Sequence, residues 1–241
     1  MKKHIPNLIT SLNLASGFIA IIYAVNGNIV TASWLILAAM LFDFFDGFSS
    51  RMLNAYSDIG KELDSLADVV SFGVAPALII FQLLTKSLAA DAAMIFNSGC
   101  TSDALILMVP VIMPVCAALR LAKFNVDETQ TTSFKGLPTP ANALAVISIV
   151  IAWHYSPSGF LASFINSPAA LIIFTIIISL LMVTRLPLLS LKTSHLRFRG
   201  NEGRYILIVT VVAALAIFGF GAAPLIIPLY LVASLISLAI K

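Results

Sequence analysis

Four aspartates within a short stretch of the chain are placed to do chemistry together. Asp43 and Asp46 stand in Asp-Phe-Phe-Asp-Gly-Phe-Ser-Ser-Arg, and Asp64 and Asp68 in Gly-Lys-Glu-Leu-Asp-Ser-Leu-Ala-Asp. All lie in or beside long apolar runs, where a charged side chain at membrane depth costs about 3 kcal/mol on insertion scales. Held close together, the four would also repel one another. A cation is needed to offset both effects. Oxygen-only ligands at this density favour Mg²⁺ or Mn²⁺ over zinc.

Helical phase divides the four between two faces. With Asp43 at zero and about 100° per residue, Asp46 falls near −60°, Gly47 near +40°, Ser50 near −20° and Arg51 near +80°. Phe44, Phe45 and Phe48 take the opposite side. The following segment repeats the arrangement, with Gly60, Asp64, Asp68, Ser71 and Ala75 on one stripe and Val69 and Val70 turned away. Two helices, each presenting small and polar residues with two carboxylates, predict a divided metal site.

Written out, the pattern is D-x2-D-G-x2-S-R-x8-G-x3-D-x3-D. It resembles the signature of the CDP-alcohol phosphotransferase family, membrane enzymes that move a phosphatidyl or similar group from a CDP-linked donor to an alcohol. Asp43, Asp46, Gly47, Arg51, Gly60, Asp64 and Asp68 match at the right spacing, and Ser50 stands where the family has Ala. The resemblance implies two divalent cations, Mg²⁺ or Mn²⁺, on the aspartates. It also implies Asp68 as general base as well as ligand, and Gly47, Ser50, Arg51 and Gly60 around the CDP part of the donor. A homodimer is expected from the resemblance alone.

The elements that must position these residues are membrane spans. The chain has 241 residues, of which 60% are hydrophobic and only 10% charged, which excludes an ordinary soluble domain. Apolar segments predict an all-α integral membrane bundle of about eight transmembrane helices, near 6–25, 29–50, 62–84, 104–122, 140–156, 168–185, 204–220 and 222–240. The first four residues are too short and polar for a removable leader, so the first span is expected to be retained. With the amino terminus inside, every Lys and Arg except Lys86 falls on the cytoplasmic side. Both termini are then cytoplasmic, and the two aspartate pairs share a depth near that face. The net charge of +3 fits contact with anionic headgroups and gives no case for nucleic acid. With no long linker or low-complexity tail, residues 1–241 read as one membrane domain.

Three further stretches bear on substrate. Asn7 and Thr10 follow Pro6 at near-helical spacing; by themselves they read as helix-to-helix hydrogen-bonding groups, and the resemblance puts them near the donor. Residues 69–77, Val-Val-Ser-Phe-Gly-Val-Ala-Pro-Ala, resemble the phosphatidylserine synthase branch of the family. So do Arg-Leu-Ala-Lys-Phe-Asn and Phe-Lys-Gly-Leu-Pro-Thr-Pro-Ala between 120 and 141. By composition that connection is a cationic loop at the headgroups. The resemblance makes the donor CDP-diacylglycerol and the acceptor L-serine, with Arg120, Lys123, Asn125 and Lys135 as candidate serine-binding residues.

The aspartate motif by itself leaves open glycerol phosphate, inositol phosphate or another small alcohol as acceptor. A cation transporter also uses intramembrane aspartates, but it gives no reason for Gly47, Arg51 and Gly60 at fixed spacing. Cys100 and Cys116 form neither a disulfide nor a metal pair by position. His4, His154 and His195 are scattered and receive no role. The basic run 192–204 reads as a headgroup-facing loop.

Overall fold

Cap residues and apolar runs divide the chain into helices joined by short turns. The computed structural model describes residues 4–55, 57–89, 92–97, 101–126, 134–188 and 202–239. Cys100, His195 and most of the basic run 192–204 lie outside them, as does the part of the 120–140 connection between 127 and 133. α1 (His4–Val25) and α2 (Ile29–Leu53) pack along each other as a hairpin. Asn28 opens α2, its Oδ1 accepting the Thr31 N–H at 3.2 Å. Asn54 closes it in the left-handed conformation, φ 47°, with its N–H returned to the Arg51 and Ser50 carbonyls. α3 (Asp58–Asp68) starts at Ser57, whose Oγ accepts the Gly60 N–H at 3.1 Å.

α3 continues into a π-helical turn, Val69–Val74, and then α4 (Ala75–Ser87). Such turns mark a local departure from the regular ladder. Pro76 has no N–H to offer the Phe72 carbonyl one turn back. Asn142 Nδ2 donates to that carbonyl instead, at 3.1 Å, which matters where water is excluded.

The chain proceeds through α5 (Ala92–Asn97), α6 (Ser102–Met108), a 3-10 turn at Pro110 and α7 (Ile112–Val126). α8 (Thr139–Tyr155) is the central helix, with eleven of its seventeen residues buried. It is followed by α9 (Gly159–Ile165), α10 (Pro168–Val183), α11 (Glu202–Phe218) and α12 (Ile226–Ala239). Two short strands, β1 (Phe134–Lys135) and β2 (Pro187–Leu188), pair antiparallel just before α8 and just after α10.

Gly136 makes that junction. Its φ is +81°, and a Cβ there would lie 2.5 Å from the Met182 carbonyl oxygen and 2.8 Å from that of Thr184. Only glycine meets both demands. The Gly136 N–H donates to Leu186 O and the Leu137 N–H to Leu181 O, both at 2.9 Å. The start of α8 is therefore tied to the end of α10.

The protein is an all-α integral membrane protein, and the eight expected segments are present with three departures. α1, α2, Asp58–Ser87, Ser102–Val126 and Tyr205–Leu235 are long and apolar enough to cross a bilayer; α9 and α10 add a sixth if the pair, bent by 83°, is one span. The bend falls at Asn166 and Ser167, where α9 ends and Ser167 caps the start of α10 ahead of Pro168. α8 is apolar but has 17 residues, about 26 Å of helix, slightly short of a bilayer core. Tyr205–Leu235 is a single helical run by residue count, yet α11 and α12 pack on each other across the 3-10 segment Gly219–Leu225, so it supplies two segments. The bundle core holds Ile36, Phe72, Ile79, Leu83, Met113 and Ile147, whereas Phe44, Phe45 and Phe48 are exposed on the outer side of α2.

Candidate active site

The last turns of α2 and the turns of α3 bring the carboxylates together. Asp43, Asp64 and Asp68 each present an oxygen, and the three oxygens lie within 4.8 Å of one another. Asp64 and Asp68 are one turn apart on α3, and Asp43 faces them from α2. Asp46, one turn beyond Asp43, is not part of this group of three. It is only 6% exposed, faces Thr10 of α1 and lies near Asp64. The expected set of four thus separates into a convergent trio and a neighbour.

The residues fit a hard divalent cation. Every donor is a carboxylate oxygen, the pattern that suits Mg²⁺ or Mn²⁺. Asp46 Oδ2 and Asp68 Oδ1 are buried with no hydrogen-bond partner among the described residues. A buried carboxylate oxygen left in that condition is costly unless an ion or proton meets it.

A cavity of about 620 Å³ opens beside the aspartates. Its wall includes Asn7 and Thr10 from α1, Asp46, Gly47 and Ser50 from α2, and Gly60 and Asp64 from α3; Ser57, Asp58 and Lys61 stand at its rim. Gly60 is held between Ser57 Oγ and Asn7 Oδ1, which would lie 2.9 and 3.0 Å from an added Cβ. At Gly47 a Cβ would meet no protein atom within 4 Å, so the missing side chain leaves room in the cavity. Five of the six expected donor-binding residues line this space. The sixth, Arg51, is exposed at the end of α2, its Nε donating to the Gly47 carbonyl at 2.9 Å.

The expected acceptor residues part company. Arg120 of α7 reaches the aspartates: its Nη1 donates to Thr139 Oγ1 at 3.4 Å, and Thr139 donates to Asp68 Oδ2 at 3.1 Å. Its Nε is buried with no hydrogen-bond partner among the described residues, and Tyr230 of α12 lies nearby. Asn125 is engaged elsewhere, its Nδ2 donating to Ser65 Oγ at 2.9 Å and its carbonyl accepting from Lys61 Nζ at 3.0 Å. These contacts fasten the end of α7 to α3. Lys123 is exposed. The side chain of Lys135 lies outside the described part of the structure.

Thr139 is the site residue that sequence reasoning missed. It sits between two prolines at the start of α8, fully buried, and it touches Asp68 directly. A hydroxyl at the first position of a helix reads as local capping, and nothing in the spacing points across 71 residues to Asp68.

Residues 3–217 match the family described as CDP-alcohol phosphatidyltransferase. The chain is 33% identical over 155 residues to the CDP-diacylglycerol–serine O-phosphatidyltransferase of Bacillus subtilis, covering 64% of this chain and 78% of that one. It is 28% identical over 236 residues to the protein of that name from Helicobacter pylori strain 26695, covering 96% and 89%. It is also 37% identical over 154 residues to the archaetidylserine synthase of Methanothermobacter thermautotrophicus, covering 63% and 60%. With the aspartate motif, the cavity and a match over most of its length, the chain belongs to the CDP-alcohol phosphatidyltransferase family.

Proposed function

We propose that the chain transfers the phosphatidyl group of CDP-diacylglycerol to the hydroxyl of L-serine and releases CMP. The observation that carries this reading is the convergence of Asp43, Asp64 and Asp68 beside a cavity lined by signature residues. The serine transferases among the relatives support serine as the acceptor. In the reaction the serine oxygen bonds to the lipid-bearing phosphorus, the bond from that phosphorus to CMP breaks, and the serine hydroxyl proton passes to a base.

Asp43, Asp46, Asp64 and Asp68 are the residues that would hold two divalent cations, Mg²⁺ or Mn²⁺. Such ions, when bound, supply charge neutralisation for the pyrophosphate and the departing CMP. Asn7, Thr10, Gly47, Ser50 and Gly60 receive the cytidine diphosphate portion, in a cavity of the size that small-ligand sites have. Arg51, tethered to the Gly47 carbonyl through Nε, keeps its other guanidinium donors for phosphate or nucleotide. Asp68 takes the serine proton at Oδ1. Arg120 offers its buried Nε to the serine carboxylate. Lys123 and Lys135 add positive charge around the acceptor, and Asn125 holds α7 against α3 through Ser65. Positioning and charge compensation carry the chemistry, as in phosphoryl-type transfer generally.

The sidedness of Lys and Arg supports a site on the cytoplasmic face of a prokaryotic plasma membrane, with both termini inside. The acyl chains then stay in the bilayer while CDP and serine are handled from the cytoplasm. Residues 1–241 act as one membrane domain, and the working unit is a homodimer. The test is acceptor choice: purified protein, CDP-diacylglycerol and Mn²⁺ are supplied with labelled serine, glycerol phosphate or inositol phosphate. Label entering the lipid fraction from serine alone is expected. Label from another acceptor and none from serine overturns the acceptor while leaving the family intact.

A further inference from the structure

We propose that Thr139 is a positioning residue that sets the orientation of the Asp68 carboxylate. The inference deepens the reading above and rests on it, since it gives Asp68 its working geometry.

Thr139 is fully buried at the start of α8 and its side chain stands between Arg120 and Asp68. A hydroxyl has one proton and two lone pairs, and a guanidinium has donors only. Arg120 Nη1 therefore occupies a lone pair of Thr139 Oγ1. The hydroxyl proton is left for Asp68 Oδ2, and the direction of the chain from Arg120 through Thr139 to Asp68 is fixed by the donor inventory. Asp68 Oδ2 is engaged at 3.1 Å, while Oδ1 is buried with no hydrogen-bond partner among the described residues. Thr139 thus determines which of the two oxygens is left for an ion or a proton.

The first turn of α8 is built to hold this hydroxyl still. Three residues on, on the same face, Asn142 Nδ2 donates to the Phe72 carbonyl that Pro76 cannot serve. Thr139 and Asn142 together grip the segment from Asp68 to Phe72 at two points. Behind them, the Leu137 N–H is fixed to Leu181 O and Gly136 adopts a conformation other residues resist. Asp68 is thereby oriented by a helix from another part of the chain, not by its own helix.

The experiment compares T139V, which keeps the shape and removes the hydroxyl, with T139S, which keeps the hydroxyl. Both are made in the full chain in detergent. Two readouts are taken: Mn²⁺ affinity of the protein alone by electron paramagnetic resonance, and CMP release at varied CDP-diacylglycerol with serine saturating. A hydrogen bond to a carboxylate predicts a kcat about tenfold or more lower in T139V, with the KM for CDP-diacylglycerol changed by no more than about twofold. Mn²⁺ affinity falls with it, and T139S recovers both to within about threefold of wild type. T139V with kcat and Mn²⁺ affinity both within about twofold of wild type overturns the proposal, and so does T139S as impaired as T139V. Should T139V fail to fold, T139C replaces it: the weak thiol donor predicts the same pattern of loss, and wild-type behaviour overturns the proposal. Wild-type protein that releases no CMP contradicts the transfer reading; the Mn²⁺ comparison then still decides for or against Thr139.

Discussion

Replacing Asp68 by Asn separates chemistry from stability in opposite directions. Asp43, Asp64 and Asp68 present oxygens within 4.8 Å of one another. For two ionised carboxylates at that distance, Coulomb repulsion at an effective dielectric constant of about 20 is roughly 3.5 kcal/mol. At a pH where all three are ionised, Asp68→Asn removes two such repulsions against the loss of one attraction to Arg120, while its amide oxygen can still accept from Thr139. With divalent cations chelated, the variant should therefore be more stable than wild type, with a melting temperature several degrees higher. Added Mn²⁺ should raise the wild-type melting temperature more than that of the variant, because one ligand charge is gone. Transfer should fall by about 10²–10⁴, the usual contribution of a positioned base. Thermal unfolding in detergent with EDTA or Mn²⁺, beside CMP release, measures all three. A variant that melts below wild type in EDTA, or that keeps near-normal activity, refutes the reasoning that these carboxylates repel one another and that Asp68 takes the proton.

Three other perturbations probe the cavity, the acceptor side and the scaffold. Gly60→Ala forces a Cβ to within 3.0 Å of both Ser57 Oγ and Asn7 Oδ1; overpacking of about 1 kcal/mol should raise the KM for CDP-diacylglycerol roughly fivefold in initial-rate assays, with a smaller effect on serine. Arg120→Ala should raise the KM for serine about tenfold or more and that for the donor much less, the loss expected of a charged hydrogen bond; equal effects on both would remove Arg120 from the serine site and leave it only its bond to Thr139. Gly136→Ala places a Cβ 2.5 Å from the Met182 carbonyl oxygen at a φ of +81°, and should lower both the melting temperature and kcat, because Thr139 lies three residues on.

The aspartate cluster was legible because its spacing is a helix property: Asp43 with Gly47, and Asp64 with Asp68, share faces whatever the rest of the chain does. Which carboxylates converge was not. Asp46 is separated from Asp43 by about 60° of helix rotation, enough to turn it to Thr10 and the cavity, and only the position of α1 decides that. The same limit applies on α7. The resemblance offers Arg120, Lys123 and Asn125 together as acceptor residues, but helical phase spreads them around the axis, so Arg120 meets Thr139, Asn125 meets Ser65, and Lys123 is exposed. The apolar segments were readable from hydropathy, and so was the break at Asn166-Ser167-Pro168 where the segment 168–185 begins, whereas α9 before it and the π-helical turn after Asp68 were not, since a seven-residue helix and a one-residue change of ladder leave no periodic signal. Thr139 needed the fold itself, because its role depends on α8 packing against the end of α3.

The most direct measurement is CMP release by the purified protein in detergent with CDP-diacylglycerol, with serine present or absent and with Mn²⁺ or EDTA. The account predicts release that requires both serine and the divalent cation, accompanied by a serine-containing lipid. Serine-independent release, full release in EDTA, or no release from folded protein with any alcohol would contradict it.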